Sequence, residues 1–147
     1  MKNDLFVKII LALKDCSKCV SRKVGAILVK DGRVISTGYN GTLSGAPNCC
    51  DKFNSENYDR ESHHKWSILN EIHAEQNAIA MAAKHGIPLD GCDCYTTLQP
   101  CNTCLLLLVQ SGIKNIFYLE EYERSSYSED LLKIISERGI QIQKIKQ

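Results

Sequence analysis

The chain has 147 residues, 44% of them hydrophobic and 24% charged, which is enough for one compact domain with its own core and too few for two of ordinary size. Eighteen Lys and Arg against seventeen Asp and Glu leave a formal net charge of +1, which excludes the broad positive field of a protein that tracks a nucleic-acid backbone. No apolar run approaches the roughly 20 residues of a membrane span and the amphipathic N-terminus lacks the apolar stretch of a signal peptide, so a small-molecule ligand and a cytoplasmic compartment are expected.

Residues 4–15 are apolar at helical spacing, with Asp4 placed to cap them, and predict a first helix packed on a sheet. Val24–Val29 and Arg33–Gly38 are β-branched runs separated by Lys30-Asp31-Gly32, the turn chemistry of a hairpin. From Asn40 to about Arg60 the chain is rich in Gly, Asn, Ser and Asp, a loop long enough to suggest function, and it carries Cys49 and Cys50. Ile72–Lys84 is Ala-rich and amphipathic and stops before Gly86-Ile87-Pro88, which predicts the second helix.

Strict alternation follows: Cys94–Leu98 as a strand, Cys101–Ser111 as a helix, Ile113–Leu119 as a strand, Ser128–Arg138 as a helix and Ile140–Ile145 as a strand. Such β-α-β-α-β order implies parallel pairing through crossover helices. The predicted fold is α/β, a three-layer α/β/α sandwich on a five-stranded mixed sheet, with residues 1–147 forming a single domain.

Eight cysteines in a chain of this size mean either a disulfide framework or metal ligation, and the expected compartment favours metal. Cys16 and Cys19, then Cys101 and Cys104, form C-x-x-C pairs, and three of the four histidines lie between residues 63 and 73. The strongest constellation is His73-Ala74-Glu75 at the start of one predicted helix and Pro100-Cys101-Asn102-Thr103-Cys104 at the start of the next.

Cysteines three apart share a helix face, and the positive end of the helix dipole favours their thiolates. With His73 they make three protein ligands, leaving the fourth tetrahedral position of Zn²⁺ open as catalytic sites do. Glu75 is the candidate proton carrier. Residues i and i+2 of a regular helix do not face each other, so the motif predicts that His73 lies in an irregular first turn with its ring turned toward Cys101. Taken singly, a C-x-x-C pair also suits redox chemistry, a lone His suits a core, and a Glu in a first turn suits the dipole; jointly, H-x-E followed by P-C-x-x-C is the zinc deaminase pattern.

At these residues the sequence resembles the cytidine deaminase superfamily, and within it the deoxycytidylate (dCMP) deaminases of the kind carried by large tailed phages. The resemblance spans Cys19 through Tyr122 and rests on the blocks S-x-K-V-G, G-R-V-I-S-T-G-Y-N-G, N-C-C, N-E-I-H-A-E, P-C-x-x-C and S-G-I-K in combination. It implies hydrolysis of dCMP to dUMP and ammonia, feeding thymidylate synthesis in a host cytoplasm where the source is viral. It also implies that His73, Cys101 and Cys104 hold the zinc, and that Glu75 protonates N3 and later the leaving amine.

By the same resemblance Asn40 meets the nucleotide sugar and Tyr122 lies near the substrate phosphate, with Ser21, Arg22 and Lys23 at the mouth. As residues alone, Asn40-Gly41 is equally a common turn pair, Tyr122 a packing tyrosine, and the three polar residues a solvated approach to a strand. The phage-type enzymes also carry a structural zinc, and the matching positions are Cys19, Cys49, His63 and Glu71, a set that would staple the long loop to the first helix. Cys16, Cys50 and His64 are close competitors, and a site of Cys16, Cys19, Cys49 and Cys50 is chemically reasonable too.

Cys92, Cys94, Trp66 and Met81 read as packing, and His85 as a group at a helix C-terminus. The resemblance further implies activation by dCTP, with which Mg²⁺ would travel, inhibition by dTTP, and a homohexamer. Tyr39 and Gly41 then lie near the regulatory region, and Lys84 matches a basic residue tied to the response.

Rival readings within the motif are nucleoside cytidine, tRNA adenosine and pterin or riboflavin-pathway deaminases. The net charge weakens the tRNA reading, and the Gly-Tyr-Asn-Gly block and the Cys49-bearing insertion favour the deoxynucleotide enzyme. From another class, a catalytically silent zinc-stabilised nucleotide-binding module would have no use for Glu75 beside an open coordination position.

Overall fold

The computed structural model describes residues 2–147. Its central sheet has five strands: β1 (Gly25–Lys30), β2 (Arg33–Tyr39), β5 (Asp93–Leu98), β6 (Asn115–Glu120) and β7 (Gln141–Lys144). They lie in the order β2-β1-β5-β6-β7. β1 is antiparallel to both β2 and β5, whereas β5, β6 and β7 run parallel, so the sheet is mixed as the sequence predicts. Asp31 and Gly32 both have positive φ, 50° and 74°, the backbone that a two-residue hairpin turn demands.

The sheet is covered on both faces. Helix α1 (Lys2–Cys16) lays Phe6, Val7 and Ile10 on one face, against Ile27, Val29, Tyr95 and Leu119. On the other face lie α4 (Ala74–Lys84), α5 (Asn102–Gln110) and α6 (Glu129–Glu137), whose Ala78, Leu105, Leu108, Leu131 and Ile135 meet Leu28, Cys94 and Ile116. β1 is therefore buried from both sides and reads as an unbroken apolar run.

Helix α4 sits unusually close to β2. A Cβ on Gly38 would fall 2.3 Å from the Ala74 carbonyl oxygen and 2.6 Å from the Ala78 nitrogen, so only glycine admits the helix at this spacing. That contact sets the height of the helix N-terminus above the sheet.

The sequence reading needs correction between residues 40 and 84. The stretch before residue 72 contains a helix that its periodicity does not announce, α3 (Arg60–Asn70). It is polar along most of its length and is started by Asp59, whose Oδ2 accepts from the Ser62 backbone at 3.0 Å and from the Ser62 hydroxyl at 2.6 Å. Glu71 and Ile72 are not helical either; they form β4 (Glu71–Ile72), paired antiparallel with β3 (Gly41–Thr42), and the next helix begins at Ala74.

The loop after Asn40 also holds a single helical turn, α2 (Cys49–Lys52). Of the residues read as packing, Cys92 and Cys94 are fully buried and Trp66 stacks edge-on to Phe53, but Met81 is 38% exposed on the outer side of α4.

Candidate active site

β5 ends at Leu98 and runs through Gln99 and the buried Pro100 into α5, while the short β4 runs directly into α4. Both helices therefore point their N-termini at one place. His73 is the N-cap of α4 (φ −69°, ψ 156°) and Cys101 the N-cap of α5 (φ −67°, ψ 168°). Because His73 has extended backbone, its ring turns back as the motif predicts: Nδ1 lies 3.3 Å from Cys104 Sγ and 3.5 Å from Cys101 Sγ. The spacing objection to H-x-E dissolves here, since only Glu75 is inside the helix.

The three ligand atoms all lie within 4.8 Å of one another. Two sulfurs and one imidazole nitrogen converging at helix N-termini are a donor set that suits zinc, and three protein ligands would leave a coordination position for water. Charge is arranged to suit a cation. Hydrogen bonding from the Cys104 thiol, with help from His73 and the Cys104 backbone, brings Cys101 down to about 4. Cys104 is pushed the opposite way, by its bond to the Cys101 thiolate and by burial. The two sulfurs are thus coupled through one hydrogen bond, and ligation by thiolates would release protons.

His73 is shifted upward by its hydrogen bond to the Cys101 sulfur. Glu75, 4% exposed, is raised above the ordinary carboxylate value by burial, with His73, Cys101 and Cys104 as its neighbours.

The predicted substrate residues differ in what they touch. Asn40 spends its side chain on the neighbouring segment: Oδ1 accepts from the Val24 backbone at 2.8 Å and Nδ2 donates to the Arg22 carbonyl at 2.7 Å. Ser21, Arg22 and Lys23, all exposed, line a cleft of about 370 Å³ with Lys14, Thr97 and the acidic Glu120, and His73, Glu75, Cys101 and Cys104 are not among the residues that line it. Tyr122 is half-buried against Val24, Ala74 and Leu98, and the Arg22 guanidinium lies 5.0 Å above its ring. Tyr39 and Gly41 flank Asn40 on the β2–β3 corner, and the Tyr39 carbonyl accepts from Asn77 Nδ2 at 3.1 Å. Lys84 is at the opposite end of α4 from Glu75, roughly 14 Å away along the helix axis.

A second cluster brings together Cys19, Cys49, His63 and Glu71, again with all ligand atoms within 4.8 Å. His63 Nε2 is 3.3 Å from Cys49 Sγ and 3.8 Å from Cys19 Sγ, and Cys19 Sγ is 3.7 Å from Glu71 Oε2. Burial holds both thiols up, Cys49 to about 12. Glu71 Oε2 accepts from Ser67 Oγ at 2.6 Å, but Oε1 is buried without a partner. A buried orphan carboxylate oxygen beside two sulfurs and an imidazole is what a cation would satisfy. The competitors lie elsewhere: Cys16 is exposed with its sulfur against the Ala12 carbonyl, and Cys50 and His64 are exposed.

Residues that the sequence reading passed over also converge here. Gln99, Ser125 and Tyr127 all bond to backbone within two residues of Cys101 or Tyr122, and no motif or periodicity marks them.

Comparison with known proteins agrees with this geometry. Residues 1–120 match the family model described as the cytidine and deoxycytidylate deaminase zinc-binding region. Deoxycytidylate deaminase of enterobacteria phage T4 is 36% identical over 173 aligned positions, covering 97% of this chain and 89% of the relative. The phage T2 enzyme is 35% identical, at 97% and 91%. The crystal structure of dCMP deaminase from cyanophage S-TIM5, in complex with dCMP and dUMP, superposes with a TM-score of 0.76 at 30% identity, covering 97% of this chain and 96% of that one. With the family model matched over residues 1–120 and the two helix N-termini bringing His73, Cys101 and Cys104 together, the chain belongs to the cytidine and deoxycytidylate deaminase family.

Proposed function

We propose that the chain hydrolyses dCMP to dUMP and ammonia, with His73, Cys101 and Cys104 holding a catalytic zinc and Glu75 carrying the protons. The observation that supports this most directly is the placement of a buried carboxylate, raised above its ordinary value by desolvation, beside an open three-ligand centre. Bound zinc supplies the Lewis acidity that makes water a nucleophile near neutral pH.

The remaining work falls to this chain's own groups. Glu75 takes the proton released as water oxygen bonds to C4 and delivers it to N3 of the ring. It then takes the proton of the new C4 hydroxyl and passes it to the amino group, so that C4=O forms as the C4–N bond breaks and ammonia leaves. Burial suits Glu75 to this, because a carboxylate raised toward neutrality both accepts and donates.

Arg22 and Lys23 supply cationic charge for the 5′-phosphate and Ser21 a hydroxyl, while Tyr122 forms the wall under Arg22. Asn40 serves the sugar and, by its two backbone bonds, also holds the Arg22–Val24 segment at the mouth. The substrate class is taken from the phage relatives and from the nucleotides in the S-TIM5 complex. The net charge of +1 favours a small nucleotide over a nucleic acid.

Under the same reading Cys19, Cys49, His63 and Glu71 hold a structural zinc, supported by the orphan Glu71 oxygen. Residues 1–147 act as one catalytic unit in the cytoplasm; no helix among the described residues is long and apolar enough to cross a membrane. Activation by dCTP with Mg²⁺ and inhibition by dTTP would act near Tyr39 and Gly41, which adjoin the strand leading to His73, and at Lys84. Exposed Ile68, Leu69, Leu106 and Leu107 give a homohexamer apolar surface to bury.

The test is turnover of cytidine, deoxycytidine, CMP and dCMP by zinc-loaded protein, each with and without dCTP and Mg²⁺, followed by absorbance. Conversion confined to dCMP is the expected result. Conversion of nucleosides, or of none of the four, overturns the substrate assignment.

A further inference from the structure

The segment 121–127, between β6 and α6, folds back over the start of α5 and is fastened there at one atom. Ser125 Oγ donates to the Pro100 carbonyl oxygen at 2.8 Å, and the Tyr127 hydroxyl donates to the same oxygen at 2.6 Å. Two donors use both lone pairs of that carbonyl. The neighbouring residue is held as well: the Gln99 backbone donates to the Glu120 carbonyl at 2.8 Å, and Gln99 Oε1 accepts from the Tyr122 backbone at 3.1 Å. The Tyr127 ring packs against the core cluster that contains Leu105 and Leu108 of α5, so its hydroxyl is presented from a fixed base.

The Pro100 carbonyl belongs to the peptide unit that carries Cys101. Proline fixes its own φ, which leaves Pro100 ψ and Cys101 φ as the soft backbone torsions that aim the Cys101 Cα–Cβ bond, with the side-chain torsion then settled by the contacts of the sulfur. Two hydroxyls on the carbonyl oxygen fix the plane between those torsions. The sulfur then faces inward, accepting from the Cys104 backbone at 3.5 Å and lying 3.5 Å from His73 Nδ1. Partners outside the ligand set commonly orient a ligand through its own side chain; here they do so through its backbone.

We propose that Tyr127 and Ser125 are positioning residues of the metal centre, aiming the Cys101 sulfur through the Pro100 carbonyl. This rests on the assignment of His73, Cys101 and Cys104 as metal ligands and is independent of the choice of nucleotide. Because the same segment carries Tyr122, stacked on Arg22, it joins the mouth of the site to one of its ligands.

The experiment uses the full chain with Tyr127→Phe, Ser125→Ala and both together. Zinc affinity is read by competition with a chromophoric chelator, and ligand geometry by the thiolate and ligand-field absorption of the Co²⁺-loaded protein. His73→Ala identifies which binding event belongs to this centre. The double variant is expected to lose about ten- to a hundredfold in affinity there, the usual consequence of removing a ligand's outer partner. Its cobalt spectrum should shift, and kcat for dCMP should fall while KM holds. Tyr127→Phe keeps the ring in the core and should show the same changes, smaller, with an unaltered circular dichroism spectrum. Variants that match wild type in affinity, spectrum and kcat overturn the proposal, as do variants that lose only thermal stability. Wild-type protein that binds metal but leaves dCMP untouched overturns the substrate reading, while losses of affinity in the variants still support the brace.

Discussion

His73 and Cys101 are 28 residues apart in sequence, yet His73 Nδ1 lies 3.5 Å from Cys101 Sγ, and each residue is the N-cap of its own helix. An N-cap has extended backbone, so its side chain reaches across the helix end and does not stand out from the helix side. Placing both residues at caps lets two helix N-termini face one cation position while Glu75, in the first turn of α4, stays buried.

Glu75→Gln removes the proton carrier and keeps the shape. The variant should retain zinc by elemental analysis and lose about 10²- to 10⁴-fold in kcat, the usual span for a general acid–base group. Turnover at the wild-type rate would remove Glu75 from the mechanism.

The same substitution tests burial through pH. Glu75 is held above its ordinary value of 4.5 by desolvation, so its contribution to stability is full below 4.5 and is lost as pH rises through the raised native value. In chelator-treated protein, Glu75→Gln should therefore melt at a higher temperature than wild type at pH 7–8. The difference should shrink on acidification toward pH 4, as followed by thermal scans across that range.

Two metal-sized clusters predict two zinc ions per chain when the protein is purified without chelators. Glu71→Ala, which deletes the orphan oxygen along with the ligand atom, should lower that content toward one and increase proteolysis in the 40–72 region. A wild-type value near one would mean that the second cluster does not hold zinc.

Gly38→Ala places a methyl group 2.3 Å from the Ala74 carbonyl oxygen and must lift α4 from the sheet. Overpacking of this kind costs about 1–3 kcal/mol. Urea unfolding should show that loss, and kcat should fall too, because His73 and Glu75 ride on the displaced helix. Gly41→Ala, where the added carbon meets nothing within 4 Å, is the control and should leave stability within about 0.5 kcal/mol.

Arg22→Ala should raise KM for dCMP about tenfold or more, the size of one charge-assisted hydrogen bond lost to the phosphate. Any activity on deoxycytidine should be unaffected. Equal effects on nucleotide and nucleoside would place Arg22 outside the phosphate contact.

What was legible in the sequence follows the physics of each element. β1, β2 and the β-α-β-α-β half announce themselves by periodicity and turn residues, because their burial comes from their own side chains. Helix α3 does not: its one buried residue is His63, a residue of the second cluster, so its apolar stripe is almost empty. The irregular first turn proposed for His73 was readable from spacing alone, since no regular helix could use His73 and Glu75 together. Which of Cys16, Cys19, Cys49 and Cys50 converge was legible only by resemblance. The bonds of Ser125 and Tyr127 to Pro100 leave no trace in pattern, because a hydroxyl reaching a distant carbonyl depends on where the chain returns.

The two-residue β3–β4 pairing leaves no slack between the clusters. Glu71 belongs to one and His73 to the other, Ile72 lies between them, and the backbone of Ile72 is pinned to Gly41. Two extended peptide units span only about 7 Å. Ordering Glu71 at the first cluster therefore also removes most of the conformational freedom of His73, so the two clusters should mature together as the protein folds. An ion taken up at one should then raise the affinity at the other, and by reciprocity the reverse should hold to the same degree.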